Sequence, residues 1–195
     1  MICIKTLIKL FVLTIFVSCS NQNDEIVQND KDKINSVLNI QDKESQLVAF
    51  RMLDSYEKYE LWKNKLMTLK SGLKNQQKEL VEELLQKIKP SIYDVDSDYK
   101  YYFNNIYSKE FKIKAIDLFG EEFTFNNFYT LSKTDGGGTI DEGTNCNCLR
   151  GNFGGWDCGV ANGVWCHTPT KACLEVDGCG LLNSTFCDGI CKQGW

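Results

Sequence analysis

Residues 144–195 read TNCNCLRGNFGGWDCGVANGVWCHTPTKACLEVDGCGLLNSTFCDGICKQGW. Eight cysteines fall in this stretch, at Cys146, Cys148, Cys158, Cys166, Cys173, Cys179, Cys187 and Cys191, and none lies between Cys19 and Cys146. A segment this short cannot bury enough apolar surface to fold by packing alone. An even cysteine count in a short exported segment reads as a disulfide framework. The gaps between successive cysteines are 1, 9, 7, 6, 5, 7 and 3 residues, and glycines are scattered between them. That composition favours tight turns over long regular elements, with a few short strands or one helical turn. Four bridges allow on the order of a hundred connectivities, which spacing does not resolve. Cys146 and Cys148 are too close to bridge each other easily, so each is expected to reach a distant partner. A bridge closing a loop of about 15 residues contributes roughly 3 kcal/mol in the chain-entropy view. Four such bridges can hold a fold that has almost no core.

Zinc is the rival way to hold the tail together. Structural zinc sites favour Cys-x2-Cys knuckles, and the tail has none; Cys146-Asn147-Cys148 is too tight, while Cys187-Asp188-Gly189-Ile190-Cys191 is tolerable. His167, beside Cys166, is the one histidine of the chain. A cysteine–histidine nucleophile needs a free thiol and a third group to orient the imidazole, and the sequence offers neither. No catalytic residue, metal ligand or cofactor is expected, and the chain does not read as an enzyme.

Working back from the tail, Thr134-Asp135-Gly136-Gly137-Gly138-Thr139 reads as a flexible linker. No Gly-Lys-Ser/Thr follows the three glycines, so they are not a phosphate loop. Ahead of the linker, leucine and charged residues dominate and glycine is scarce, which favours helix. Leu47, Phe50 and Leu53 recur at helical spacing, and Asp54-Ser55-Tyr56-Glu57 has the form of a capping box. Tyr59, Trp62, Leu66 and Leu69 mark one face of the helix behind it, which Ser71-Gly72 breaks. Leu80, Leu84 and Ile88 line the next, widened by Val81 and Leu85, and Pro90 stops it. A short link near Gly72 implies two antiparallel neighbours. From Tyr99 to Leu131 the chain is crowded with aromatics and reads as two short helices broken near Gly120, with the rings as core rather than as a carbohydrate or peptide surface. Glu82, Glu83, Glu121 and Glu122 sit among other charges and read as a solvated face, not as an acid–base pair.

At the other end, Lys5 and Lys9 precede an apolar run from Leu10 to Val17. A positive start and a short apolar stretch describe a secretory signal over residues 1–18, too short for a permanent span. Phe16-Val17-Ser18-Cys19 resembles a bacterial lipobox, with phenylalanine where leucine is usual. That resemblance implies cleavage before Cys19, lipidation of Cys19, and attachment to a membrane by several acyl chains, each buried CH2 contributing about 0.8 kcal/mol. The polar, acidic Ser20–Glu25 stretch is similar to segments that send lipoproteins to the outer face of the outer membrane. Residues 19–40 are thus expected to be a lipidated polar tether. The expected architecture is a mainly α domain of about four to six helices over residues 41–133, a glycine-rich linker over 134–143, and a small disulfide-rich, loop-dominated domain over 144–195.

Charge excludes further classes. The chain carries a net charge of −4, and residues 144–195 are slightly acidic, with Arg150, Lys171 and Lys192 against Asp157, Glu175, Asp177 and Asp188. No segment is basic enough to coat a nucleic-acid backbone, so no nucleic-acid partner is expected. The tail would not seek anionic lipid by charge alone.

Cys146-Asn147-Cys148, Gly178-Cys179-Gly180 and the closing Cys187 and Cys191 are together similar to the fulvocin-C-related bacterial proteins, small disulfide-bonded bacteriocins among them. The count and order of cysteines agree, while several gaps are longer in this chain. The resemblance covers residues 144–195. It implies an exported antimicrobial protein whose cysteine domain acts on the envelope of competing bacteria or on a surface receptor there, either by contact or after release of the tail. Trp156, Trp165 and Trp195 are the candidate contacts with such a target. The alternative is a non-toxic surface lipoprotein whose stapled tail binds a ligand or a protein.

Overall fold

The computed structural model describes residues 31–131, 146, 148–150, 158, 164–168 and 173–193. The signal segment, Cys19, the Gly136–Gly138 linker, Trp156 and Trp195 lie outside the described residues. The chain divides into two units, Met1–Ser36 and Val37–Trp195. Of the first, residues 31–36 are described and are helical. The stretch read as a polar tether over 19–40 is therefore helical in its last part, where Ile34, Val37 and Leu38 recur at helical spacing.

In the second unit, six α-helices are described between Lys43 and Phe128: α1 (Lys43–Arg51), α2 (Ser55–Ser71), α3 (Asn75–Lys87), α4 (Asp98–Tyr102), α5 (Ser108–Phe119) and α6 (Glu121–Phe128). This is the mainly α body the sequence implies. Asp54 caps α2 as its spacing suggests: its carboxylate accepts from the Glu57 backbone N–H at 2.8 Å, and the Glu57 carboxylate accepts from the Asp54 N–H at 2.7 Å. Asp54→Ala is expected to cost about 1 kcal/mol of stability, read as a lower urea midpoint at unchanged slope.

Gly72 ends α2. The chain returns as α3, which packs against both α2 and α5 and buries Leu80, Val81 and Leu84. α3 ends at Lys87, and Pro90 opens a short 3-10 turn, Pro90–Ile92, that packs on α2. The aromatic run is core. Phe103, Phe111 and Phe128 are fully buried, and Tyr107 nearly so. Phe111 meets Phe128 edge to face at 5.1 Å, and Tyr107 lies 6.1 Å from Phe111. The break between α5 and α6 falls at Gly120, as expected. One feature is additional: α4 continues through a π turn, Phe103–Tyr107, into α5, where a simpler pair of helices was expected.

Lys65 of α2 reaches the chain just beyond α6. Its Nζ donates to the carbonyls of Thr130 and Leu131 and sits 4.5 Å from the centre of the Trp62 ring. Burial pushes its ammonium down to about 7. Between that value and the ordinary lysine range, the unfolded chain holds a proton that the folded chain has released. Stability should therefore rise as pH climbs from about 7 toward 10, and the full cost of burying a cation should be felt below 7. Lys65→Met is expected to flatten this slope in urea titrations taken at pH 6.5 and pH 9 (~2.5 units apart).

The tail holds four short strands: β1 (Val164–His167), β2 (Val176–Cys179), β3 (Thr185–Cys187) and β4 (Ile190–Gln193). β1 pairs antiparallel with β4, placing Cys166 opposite Cys191. β2 pairs antiparallel with β3, with a bulge at Gly178. Two-stranded ribbons are marginal by themselves in water, which is where the sulfur bridges enter. Among the described residues, no helix is long and apolar enough to cross a membrane.

Candidate functional site: the stapled tail and the surface that seats it

All eight tail cysteines are paired, as Cys146–Cys173, Cys148–Cys166, Cys158–Cys191 and Cys179–Cys187. Cys146 and Cys148 do part company, each reaching a distant partner. Two small cores form around sulfur. In one, Cys148, Cys158 and Cys191 are buried together with Cys166 against them. In the other, Cys146, Cys179 and Cys187 are buried with Leu149, Cys173 and Val176 packed on them. The backbone closes the first core as well: Cys148 N–H donates to the Gly189 carbonyl at 3.3 Å, and Gly189 N–H donates back at 2.9 Å. A side chain at Gly189 has no room, because its Cβ would come within 2.5 Å of Cys166 Sγ.

The sulfurs of Cys148, Cys158 and Cys191 lie within 4.8 Å of one another, a spacing that would suit a metal ion. Metal binding needs thiolates, and here each of these sulfurs is already committed to an S–S bond. His167 follows Cys166 along β1, so the two side chains point to opposite faces. Its Nε2 is buried and has no hydrogen-bond partner among the described residues. With Cys166 bonded to Cys148, no thiol stands beside the imidazole to be activated. Of the three candidate tryptophans, Trp165 is described and is 44% exposed, opposite Lys192 on β4.

Part of the tail's described surface is covered. The turn between β2 and β3 is set into the helical body. Leu181, Leu182, Asn183 and Ser184 are all buried. Leu182 (φ 55°) and Asn183 (φ 53°) adopt left-handed backbone, which costs on the order of 1 kcal/mol or more for a residue such as leucine. The contacts around the turn hold it there. Tyr93 Oη donates to the Leu182 carbonyl at 3.2 Å. Ser184 Oγ donates to Asn104 Oδ1 at 2.6 Å, and Asn104 Nδ2 donates to the Ser184 carbonyl at 3.2 Å. Inside the turn, Asn183 Nδ2 donates to the Gly178 carbonyl at 2.6 Å. The π turn has a purpose in this setting: it buries Phe103 and Tyr107 in the body while Asn104, between them, serves the tail.

Beside the turn, three cations converge on β2 and β3. Arg51 Nε donates to the Asp177 carbonyl at 2.6 Å. Lys58 Nζ lies 3.7 Å from Asp177 Oδ2. Lys100 Nζ sits 4.8 Å over the ring of Phe186. Burial lowers the Lys100 pKa; the Asp177 charge pulls it back up, Lys58 pushes it down again and Asp94 raises it. Gly178 (φ 122°) lets α1 come in against β2, since its Cβ would stand 2.5 Å from Leu47 Cδ1.

No family model, no curated protein and no solved structure matches this chain. Sequence reading found the eight cysteines and Trp165 but missed the seat: Arg51, Lys58, Tyr93, Lys100 and Asn104. A signal for two of them was present. Lys58 stands at helical spacing ahead of Trp62 and Leu66, and Lys100 ahead of Phe103 and Tyr107. A lysine on the buried face of a helix needs a partner, and here that partner is the tail.

Proposed function

We propose that this chain is an exported bacterial surface protein, held to a membrane through a lipid on Cys19, whose helical body carries a disulfide-stapled module that acts outside the cell. One observation carries the reading: every tail cysteine is consumed in a bridge, and such frameworks form and persist in oxidising compartments. The similarity of the cysteine frame to the fulvocin-C-related proteins supplies the action. The module is antimicrobial and works on the envelope of competing bacteria, with Trp165 as its described aromatic contact. The test is to add purified, oxidised full-length protein to a broad panel of related bacteria and to follow viability and membrane potential. Loss of viability in some strains, weakened by Trp165→Ala, is the expected result. No effect on any strain, from protein whose four bridges are verified by mass, would sink the antimicrobial action.

A second reading has its own observation. The Asp177–Phe186 side of the tail is seated on the helices, an arrangement that suits a module displayed in place. On this reading the tail binds a ligand or protein at its own cell's exterior without killing. Normal inhibition of neighbours by a strain lacking the protein, together with loss of a surface ligand, would favour it.

A further inference from the structure

The helical body is more than a stalk for the tail. No bridge crosses the segment between Leu131 and Cys146, because the eight tail cysteines are bonded only among themselves. Whatever joins body and tail besides the backbone of that segment is non-covalent. The non-covalent part is nonetheless of the kind that holds proteins together. A strained, buried turn is plugged between Tyr93 and Asn104, with hydrogen bonds at both. The weakly acidic tail presents Asp177 and Phe186 to Arg51, Lys58 and Lys100. Lys58 and Lys100 are buried with the tail in place, and there their charges face Asp177 and the ring of Phe186. A centre of buried aromatic and cationic anchors is the form of an interface hot spot, and truncating one side of such a charge contact mainly speeds dissociation.

We infer that the helical body is a binding partner for the oxidised tail, which it retains, with the Asp177–Ser184 side masked, after the backbone between Leu131 and Cys146 has been cut. A cut in that segment is then not a release step. A tail that leaves the protein must be drawn out of the body by a competitor for the same cations and the same turn pocket. Retention of this kind lies beyond the proposed function and holds for either reading of the tail's action.

The experiment uses full-length oxidised protein carrying a specific protease site in place of Gly136-Gly137-Gly138. After complete cleavage, body and tail are expected to co-elute at micromolar concentration and to appear as a one-to-one complex by native mass spectrometry. Amide exchange at Leu181–Ser184 should match that of the uncut protein. Separation of the two parts, with all four bridges intact and helicity unchanged, would overturn the inference, as would a large gain in exchange at Leu181–Ser184. A second variant pair keeps the test sharp. Asp177→Ala with Ser184→Ala should fold while uncut, as checked by its circular dichroism, and should dissociate at least tenfold faster after cleavage. Unchanged dissociation in that variant would show that the Asp177–Lys58 and Ser184–Asn104 side-chain contacts do not hold the tail.

Discussion

Replacing Cys158 and Cys191 together by alanine is expected to lower stability more than removing any other single bridge. The bond joins residues 33 apart, the longest separation of the four. In the chain-entropy view a loop of that size contributes about 4 kcal/mol, against about 2.5 kcal/mol for a bridge of the short Cys179–Cys187 kind. Location adds to length. Cys158 and Cys191 are buried against Cys148 in the first sulfur core, and Cys191 also sits on β4, whose only described pairing is with β1. Losing the pair therefore removes a crosslink and loosens a ribbon that is marginal without it. The measurement is urea unfolding of the double variant beside the Cys179→Ala/Cys187→Ala variant, both free of new thiols. If the two variants lose the same stability, or the order is reversed, the Cys158–Cys191 bond is not the main staple of the tail.

The second large effect lies in the body. Phe111→Ala is expected to cost about 3–5 kcal/mol, the range for truncating a fully buried aromatic. The ring is completely buried, meets Phe128 edge to face at 5.1 Å and lies beside Tyr107. Ile113, two residues along α5, is 63% exposed, and Ile113→Ala should stay within about 0.5 kcal/mol. The contrast decides between the two meanings an aromatic-rich helix can have. Were these rings a binding surface, the Phe111 variant would keep its stability and lose a ligand instead. A urea midpoint for Phe111→Ala close to the wild-type value would refute the core assignment.

Legibility in the sequence followed the range of the interactions. The Asp54–Glu57 cap could be read because both partners lie within one turn. The faces of α2 and α3 could be read because periodicity is local, and the break at Gly120 because glycine is a local signal. The π turn could not: Phe103–Tyr107 has no composition that separates it from an ordinary helix, and what it achieves is to place Asn104 against Ser184, 80 residues away. The same holds for Arg51 and Asp177, which are 126 residues apart. In the tail, the existence of four bridges followed from count and compartment. Their pairing did not, because spacing excludes only the Cys146–Cys148 bond and leaves the rest to the fold.

The order of the bridges along the chain sets how long such a molecule can endure. Cys148–Cys166 is nested within Cys146–Cys173, and Cys179–Cys187 within Cys158–Cys191, while the outer two bonds overlap between Cys158 and Cys173. Every peptide bond from Cys146 to Cys191 is consequently bypassed by at least one disulfide. A tail that suffers a single backbone break anywhere in that span remains one covalent body, heavier by one water. A single cut by an extracellular protease would thus leave the tail in one piece under oxidising conditions and separate it only on reduction, so the cohesion of a once-nicked tail is set by its sulfur bonds.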